Sequence, residues 1–276
     1  MSITGRSVRK TLYTLSINDY APDITEMTFP LMKRWAHKIG AEFQIITERK
    51  FPHLPIPMEK LQIHELGRNN DWSIFLDADT LIHPDMFDPT NHLRPDTVAH
   101  YANDMAGHRW RYDKYFRRDG RHIGSCNWCA IAPKDCHDLW HPLDLTYEEA
   151  VANIFPVQVE RVSGCLETDH LLDDYTLSRN IAKFGLKFKT IVSIIEELKS
   201  GSGWLWHLYN IPHETKVRMI YELLTTPPSV RPGQPSGWGL MDRDDVTLKE
   251  LWNREYEMLG EREMKRFSLD TLEKQE

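Results

Sequence analysis

Apolar and polar positions in the amino-terminal part of the chain alternate in blocks that predict strands and helices in turn. The segments Thr11–Ile17 and Ala41–Thr47 are predicted to be strands, and the apolar run Trp72–Leu76 is typical of a strand buried on both faces. Between them, apolar residues recur at helical spacing over Asp23–Ile39 and Met58–Leu66, where Met58, Leu61 and Leu66 are expected to face inward. This order of elements predicts a parallel sheet built from crossover units.

The pattern continues less regularly through the rest of the chain. It predicts further strands at Thr97–Tyr101, Ile123–Pro133, Leu186–Val192 and Trp204–Leu208. It predicts further helices at Asp135–Trp140, Thr146–Ile154, Thr168–Phe184 (with Thr168 as N-cap) and His213–Leu224. We therefore expect an α/β domain over residues 1–224, with a mostly parallel, twisted sheet flanked by helices. Residues 225–276 are expected to form a linker and a helical C-terminal extension packed on the same domain.

Two carboxylates follow the most apolar of these strands. The run Trp72–Leu76 stops at Asp77-Ala78-Asp79, and side chains at i and i+2 of an extended chain point to the same side. Two acidic groups beside a core stay charged only if positive charge lies near them, and a divalent cation is the simplest candidate. Ligands of open α/β sheets bind outside the carboxyl ends of the strands. The alternative is that the two Asp residues cap a turn or a helix.

Composition and charge narrow the function classes. The chain has 276 residues, which suits one large domain or one domain with an appendage, and its net charge is −7. An acidic balance argues against general attraction to nucleic acid or anionic lipid. The first ten residues are polar, and no apolar run approaches the ~20 residues of a membrane span. We therefore expect a cytoplasmic protein without a membrane span.

The four cysteines permit a zinc hypothesis that we disfavour. Cys126-x-x-Cys129 with Cys136 nearby resembles half of a zinc site, but no second Cys pair with that spacing exists; the fourth cysteine is Cys165. Cys129 also lies in an apolar, strand-like run. We therefore expect reduced, buried thiols rather than a zinc ribbon.

The segment around the two Asp residues resembles a known family. F-L-D-A-D-T-L-I-H-P-D-M-F-D is similar to the D-x-D region of metal-dependent nucleotide-sugar glycosyltransferases of the GT-A fold, in particular the glycogenin-like, family 8 type. By element order, the likeness extends over roughly residues 10–220. It implies a Rossmann-like nucleotide-binding half, a nucleotide-sugar donor with a UDP-sugar as the first candidate, and Mn²⁺ or Mg²⁺ as the cofactor. It also implies retaining transfer to an acceptor that it does not identify.

The resemblance also implies roles for individual residues. The implied metal ligands are Asp77, Asp79 and His207. The implied donor-binding residues are Thr14, Ser16 and Tyr20 for base and ribose, with Asp77, Lys60 and Lys216 near the diphosphate. The residues implied near the donor sugar and acceptor are Asn127, Glu167 and Asp169. The family's H-x-x-G-x-x-K-P-W pattern is not kept after His207, where the chain reads H-L-Y-N-I-P-H-E-T-K, and this leaves His213 as a rival third ligand.

Several alternatives remain open from the sequence. Inverting transfer would need a general base, for which Asp169 or Glu167 is the best candidate. A haloacid-dehalogenase-like phosphatase also has an apolar strand followed by D-x-D, although that family usually opens with this motif. A non-catalytic nucleotide- or sugar-binding module would use the same fold. A nucleic-acid base as acceptor is supported only by the arginine-rich, aromatic segment Arg109–Arg121.

Overall fold

The structure is a computed structural model that describes residues 7–102, 117–118, 121–122, 128–154, 157–158, 165–166, 171–201, 203–208, 211–226 and 237–240. It contains two compact units. The first holds the described parts of Met1–Tyr20 and Leu31–His207, and the second those of Ala21–Pro30 and Leu208–Glu276. The division falls inside the first helix.

The regular elements follow the predicted order closely in the amino-terminal part. The described strands are β1 Lys10–Leu15, β2 Ala41–Ile46, β3 Trp72–Leu76, β4 Thr80–Ile82, β5 Thr97–His100, β6 Arg117–Arg118, β7 Arg121–His122, β8 Cys129–Pro133, β9 Val157–Gln158, β10 Cys165–Leu166, β11 Lys187–Thr190 and β12 Leu205–His207. The described α-helices are α1 Pro22–Lys38, α2 Ile63–Leu66, α3 Tyr147–Val151, α4 Leu172–Lys183, α5 Ile191–Leu198 and α6 His213–Thr225. The 3-10 helices are Ile56–Gln62, Pro89–His92 and Lys134–Trp140.

The core of the first unit is a six-stranded sheet in the order β11-β5-β8-β3-β1-β2. β1 pairs in parallel with β2 and β3, and β11 pairs in parallel with β5. β8 is antiparallel to both of its neighbours, β3 and β5. The predicted α/β class with a mostly parallel sheet flanked by helices is therefore confirmed, and the strand that carries the two Asp residues lies near its middle.

β3 is buried on both faces, as its continuous apolar run predicts. Ile74 and Phe75 are fully buried, and Leu76 is 1% exposed. Phe75 belongs to a hydrophobic cluster in which its ring meets Trp140 edge-on, with ring centroids 6.4 Å apart. Burial of these large side chains on a central strand removes much apolar surface from water and fixes the position at which β3 ends.

Two predicted elements of the first unit are wrong in detail. The segment predicted as the helix Met58–Leu66 forms a 3-10 helix followed by the short α2, and Leu66, expected inside, is 43% exposed. A 3-10 turn has three residues rather than 3.6, so the inward face shifts along the segment.

The predicted strand Leu186–Val192 ends at Thr190, and α5 begins at once. The Thr190 side chain accepts a hydrogen bond from Ser193 N at 2.9 Å and caps the helix. The apolar residues that follow are β-branched and resemble a continuing strand by composition. The N-cap bond shows why the chain turns into a helix here instead.

Other predictions concern the middle and the C-terminal part of the chain. α4 begins at Leu172, and Thr168, the predicted N-cap, lies outside the described residues. Most of Arg109–Arg121 and all of residues 241–276 also lie outside them. Of the thiols whose side chains are described, Cys129 and Cys136 are free and buried. No helix among the described residues has the length and apolar character needed to cross a membrane.

The second unit contains α6 and the beginning of α1. Within it, His213 Nε2 lies 2.7 Å from Asp23 Oδ2. Trp238 and Leu240 donate backbone hydrogen bonds to Leu223 O and Leu224 O, at 2.6 and 2.8 Å, and so tie their segment to α6.

Candidate metal centre

Three segments meet where β3 ends. Asp77 follows directly after β3, and its backbone N–H donates to Trp128 O at 2.9 Å. The chain then turns tightly, with Thr80 N donating to Asp77 O at 3.0 Å, and continues as β4. β12 pairs antiparallel with β4 in a register that sets His207 opposite Thr80. A residue far along the chain is thereby placed beside the Asp pair.

Asp77, Asp79 and His207 present their side chains to one another. His207 Nε2 lies 3.3 Å from Asp79 Oδ1 and 3.5 Å from Asp77 Oδ2. One ligand atom from each of the three residues lies within 4.8 Å of the others, and no other such group of three occurs among the residues that the structure describes. Asp79 is 6% exposed. The side chains of His207 and Asp77 are 11% and 29% exposed, so the cluster is largely buried and reaches solvent at Asp77.

The spacing and the chemistry of these groups fit a hard divalent cation. Ligand bonds of about 2.1 Å at right angles separate neighbouring ligand atoms by about 3 Å, close to the observed separations. A donor set of two carboxylates and one imidazole suits Mn²⁺ or Mg²⁺, whereas thiolate ligands favour zinc. The donor set present therefore matches the group that the D-x-D resemblance implies.

Lys60 supplies positive charge from beneath the Asp pair. Its Nζ lies 2.7 Å from Asp173 Oδ2, 3.3 Å from Asp77 Oδ1 and 4.5 Å from the centroid of the Phe75 ring. The side chain is fully buried. Burial by itself lowers the pKa of Lys60, but Asp173 and Asp77 more than reverse this, so the pKa is raised and the ammonium stays charged.

The two oxygens of Asp77 therefore face different partners, Oδ1 towards Lys60 and Oδ2 towards His207. Burial raises the pKa of Asp77, while Lys60 and His207 act in the opposite direction. The charge of this carboxylate is thus only partly compensated by the protein. A cation at Oδ2 would favour the ionised form.

An aromatic ring covers the imidazole of His207. The Trp128 ring stacks on it with centroids 4.9 Å apart and an interplanar angle of 20°. Tyr101 contacts Trp128 in turn, at 4.4 Å and 41°. Both aromatic residues lie next to strands of the central sheet, Tyr101 after β5 and Trp128 before β8.

Two of the residues expected to seat the base and ribose, Thr14 and Ser16, lie at the same edge of the sheet. β1 runs parallel beside β3, so Thr14 at the end of β1 is next to the end of β3. Thr14 is fully buried, and its Oγ1 has no hydrogen-bond partner among the described residues. Ser16 N donates to Ile46 O at 2.9 Å, and Tyr20 is 43% exposed in the loop that follows.

The other expected residues lie in the second unit or outside the described residues. Lys216 lies on α6 in the second unit, as does His213, which contacts Asp23. Asn127, Glu167 and Asp169 lie outside the described residues. The roles that the resemblance implies for these residues stay predictions.

The sequence interpretation did not include Trp128 or Tyr101 in the site and gave Asp173 no role in it. Asp173 had a usable signal, because it is an acidic residue among the apolar positions of a predicted helix. A buried carboxylate needs a positive partner, which turns out to be Lys60. Trp128 gave no such signal, since its contact with His207 depends on how β8 and β12 lie in space.

Comparison with protein-family models and with curated proteins found no match. Comparison with solved structures found several glycosyltransferases. One, involved in glycosylation of the major capsid of PBCV-1, is 10% identical, with 76% of this chain and 98% of that chain covered and a TM-score of 0.44. The galactosyltransferase LgtC, in complex with donor and acceptor sugar analogues, is 10% identical, with 79% and 97% covered and a TM-score of 0.42. The glycosyltransferase GlyE of Streptococcus pneumoniae TIGR4 is 11% identical, with 91% and 64% covered and a TM-score of 0.40. Likenesses this distant assign no activity to the chain.

Proposed function

We propose that the protein is a metal-dependent glycosyltransferase that moves a sugar from a nucleotide-diphosphate sugar to an acceptor hydroxyl. The observation that carries this proposal is the convergence of Asp77, Asp79 and His207 at the carboxyl end of β3, with ligand atoms within 4.8 Å of one another. The D-x-D resemblance adds the donor class, with UDP-sugars as the first candidates, and retaining transfer of the glycogenin-like, family 8 type.

Cleavage of a sugar–diphosphate bond places negative charge on the leaving phosphate. A bound Mn²⁺ or Mg²⁺ would stabilise that charge as it forms. In this chain the holding atoms would be Asp77 Oδ2, Asp79 Oδ1 and His207 Nε2. Lys60 lies against the other oxygen of Asp77 and limits rotation of the carboxylate.

Lys60 is better suited to positioning Asp77 than to contacting the donor. Its ammonium is fully buried and contacts Asp173 and Asp77. Reaching a diphosphate would break the 2.7 Å contact with Asp173 and leave that carboxylate in the protein interior without its cation.

The remaining roles follow from the resemblance and are part of the proposal. Base and ribose would lie at Thr14, Ser16 and Tyr20, and Lys216 would contact the diphosphate. Donor sugar and acceptor would be bound by Asn127, Glu167 and Asp169. The acceptor itself, whether a saccharide, another small molecule or a nucleic-acid base, is not part of the proposal.

A thermal-shift and calorimetry screen tests the function directly. Uridine, guanosine and adenosine diphosphates are each added with and without Mn²⁺, and we expect one nucleotide to stabilise the protein only when the metal is present. The Asp79→Ala variant should lose this stabilisation and any sugar transfer. Asp85→Ala, an exposed carboxylate beyond β4, should keep both and serves as the matched control.

Three outcomes would contradict the proposal. Equal metal-dependent nucleotide binding by Asp79→Ala and the wild type would show that the Asp pair does not hold the metal. Metal-dependent nucleotide binding without any donor turnover would indicate a binding module. Phosphate-ester hydrolysis with trapping of Asp77 by beryllium fluoride would identify a phosphatase instead.

A further inference from the structure

We infer that Trp128 is a positioning residue that holds the imidazole of His207 towards Asp77 and Asp79. This inference rests on the proposed metal-dependent function. It concerns a residue that neither the Asp pair nor the resemblance singles out.

Trp128 contacts two of the three proposed ligands in different ways. Its backbone carbonyl accepts the hydrogen bond from Asp77 N at 2.9 Å. Its indole ring lies nearly parallel to the His207 ring, with centroids 4.9 Å apart and an angle of 20° between the planes. One residue thus joins the segment after β3 to the end of β12.

The backbone at Trp128 is held by the sheet. Cys129, the next residue, is the register partner of Leu76 in the antiparallel pair β3–β8. All five residues of β8 are buried. The backbone from which the indole projects is therefore held by the core and does not depend on a bound ligand.

The indole supplies a restraint that β12 does not. Pairing of His207 with Thr80 fixes the backbone of His207 but leaves its two side-chain torsions free. The Trp128 ring covers one face of the imidazole and itself contacts the Tyr101 ring, with centroids 4.4 Å apart. This stacking resists rotation of the imidazole away from the carboxylates. A preorganised ligand binds a metal more tightly because less conformational freedom is lost on binding.

Substitutions at Trp128 separate stacking from the backbone contact. Trp128→Leu keeps an apolar side chain and the Asp77 N to Trp128 O hydrogen bond, but removes the flat surface. Trp128→Phe restores a flat ring at the same place. Trp206→Leu is the matched control, because Trp206 adjoins His207 on β12 yet is 36% exposed and pairs across to Leu81.

Mn²⁺ affinity of the full chain, measured by calorimetry without any sugar substrate, is the main readout. We expect Trp128→Leu to weaken Mn²⁺ binding about 10-fold, the usual scale for partners that orient a ligand, and Trp128→Phe to recover most of the loss. Trp206→Leu should bind as the wild type does. The melting temperature of each metal-free variant shows whether it is folded.

A second readout uses the indole itself. If Trp128 stacks on a metal ligand, the change in tryptophan fluorescence on Mn²⁺ addition should be largely lost in Trp128→Phe and kept in Trp206→Leu.

Wild-type Mn²⁺ affinity in a folded Trp128→Leu, or equal weakening by Trp128→Phe, would overturn the positioning role while leaving the proposed function intact. A wild-type protein that binds no Mn²⁺ would instead overturn both.

Discussion

Lys60 and Asp173, 113 positions apart in the chain, form an ion pair at 2.7 Å within the protein interior. The same ammonium reaches Asp77 at 3.3 Å, so the charge beneath the proposed metal centre comes from a residue bound to α4. α4, the 3-10 helix that carries Lys60, and the end of β3 are thereby linked through one side chain. Stability of the fold and geometry of the centre depend on the same contact.

Lys60→Met should lower the free energy of unfolding strongly. Removal of one partner of a buried pair leaves Asp173, and in part Asp77, without compensation, and such changes cost about 3–5 kcal/mol. Urea unfolding followed by circular dichroism measures the loss. An unchanged unfolding midpoint would show that water or rearrangement already solvates the two carboxylates.

A double variant separates the stability effect from the effect on the centre. In Lys60→Met/Asp173→Leu both members of the pair become apolar, and much of the lost stability should return. Mn²⁺ affinity should stay below that of the wild type, because nothing then restrains Asp77 Oδ1. Full recovery of metal affinity would contradict the positioning role that we give to Lys60.

His207→Gln should raise the Mn²⁺ dissociation constant at least 10-fold. Loss of a residue that only orients a metal ligand typically weakens binding about 10–100-fold, and His207 is itself a proposed ligand. The imidazole is the only nitrogen donor in the described three-residue cluster. His83→Gln is the control, since His83 lies just beyond β4, where its Nδ1 accepts from Asp85 N at 3.0 Å. Equal affinities for the two variants would contradict the assignment of His207 as a ligand.

Glu59→Ala should loosen the loop after β2. The buried carboxylate accepts hydrogen bonds from Arg49 Nε at 2.7 Å, Lys50 N at 2.9 Å and Phe51 N at 3.0 Å. Loss of bonds to a charged acceptor leaves these donors unsatisfied, and we expect destabilisation of about 2–3 kcal/mol. Faster hydrogen exchange at the Lys50 and Phe51 amides would locate the change, whereas slow exchange there would refute the assigned role.

Asp144→Asn should destabilise the protein near neutral pH but not in acid. Hydrogen bonds from Lys183, at 2.6 Å, and from Arg179 hold the pKa of Asp144 at about 2, below its ordinary value of 3.8. The stabilisation is therefore present above pH 3.8 and lost as pH falls through about 2. Because the side chain is 36% exposed, solvent screening limits it to less than about 1 kcal/mol. Unfolding free energies of both proteins, measured from pH 7 to pH 2, should converge at the acid end.

Local patterns predicted the amino-terminal half of the sheet and the position of the Asp pair. The run that became β3 is continuous and apolar, and burial on two faces leaves such a segment little choice of structure. β1 and β2 mix apolar and polar residues, and β2, at the edge of the sheet, has only one buried residue. The same reasoning gave the wrong end to the strand at Lys187–Thr190, because its apolar continuation suits a strand and a helix equally well. There one side-chain hydrogen bond from Ser193 N to Thr190 decided the outcome.

The sequence by itself determined that a buried strand ends in two carboxylates, because composition and spacing along one segment suffice for that statement. Only the tertiary structure decided which distant groups meet those carboxylates. Register between β4 and β12 selects His207, the antiparallel course of β8 brings Trp128 over it, and the docking of α4 supplies Asp173 to Lys60. Such contacts join positions far apart in the chain, so no local pattern of hydrophobic and polar residues encodes them.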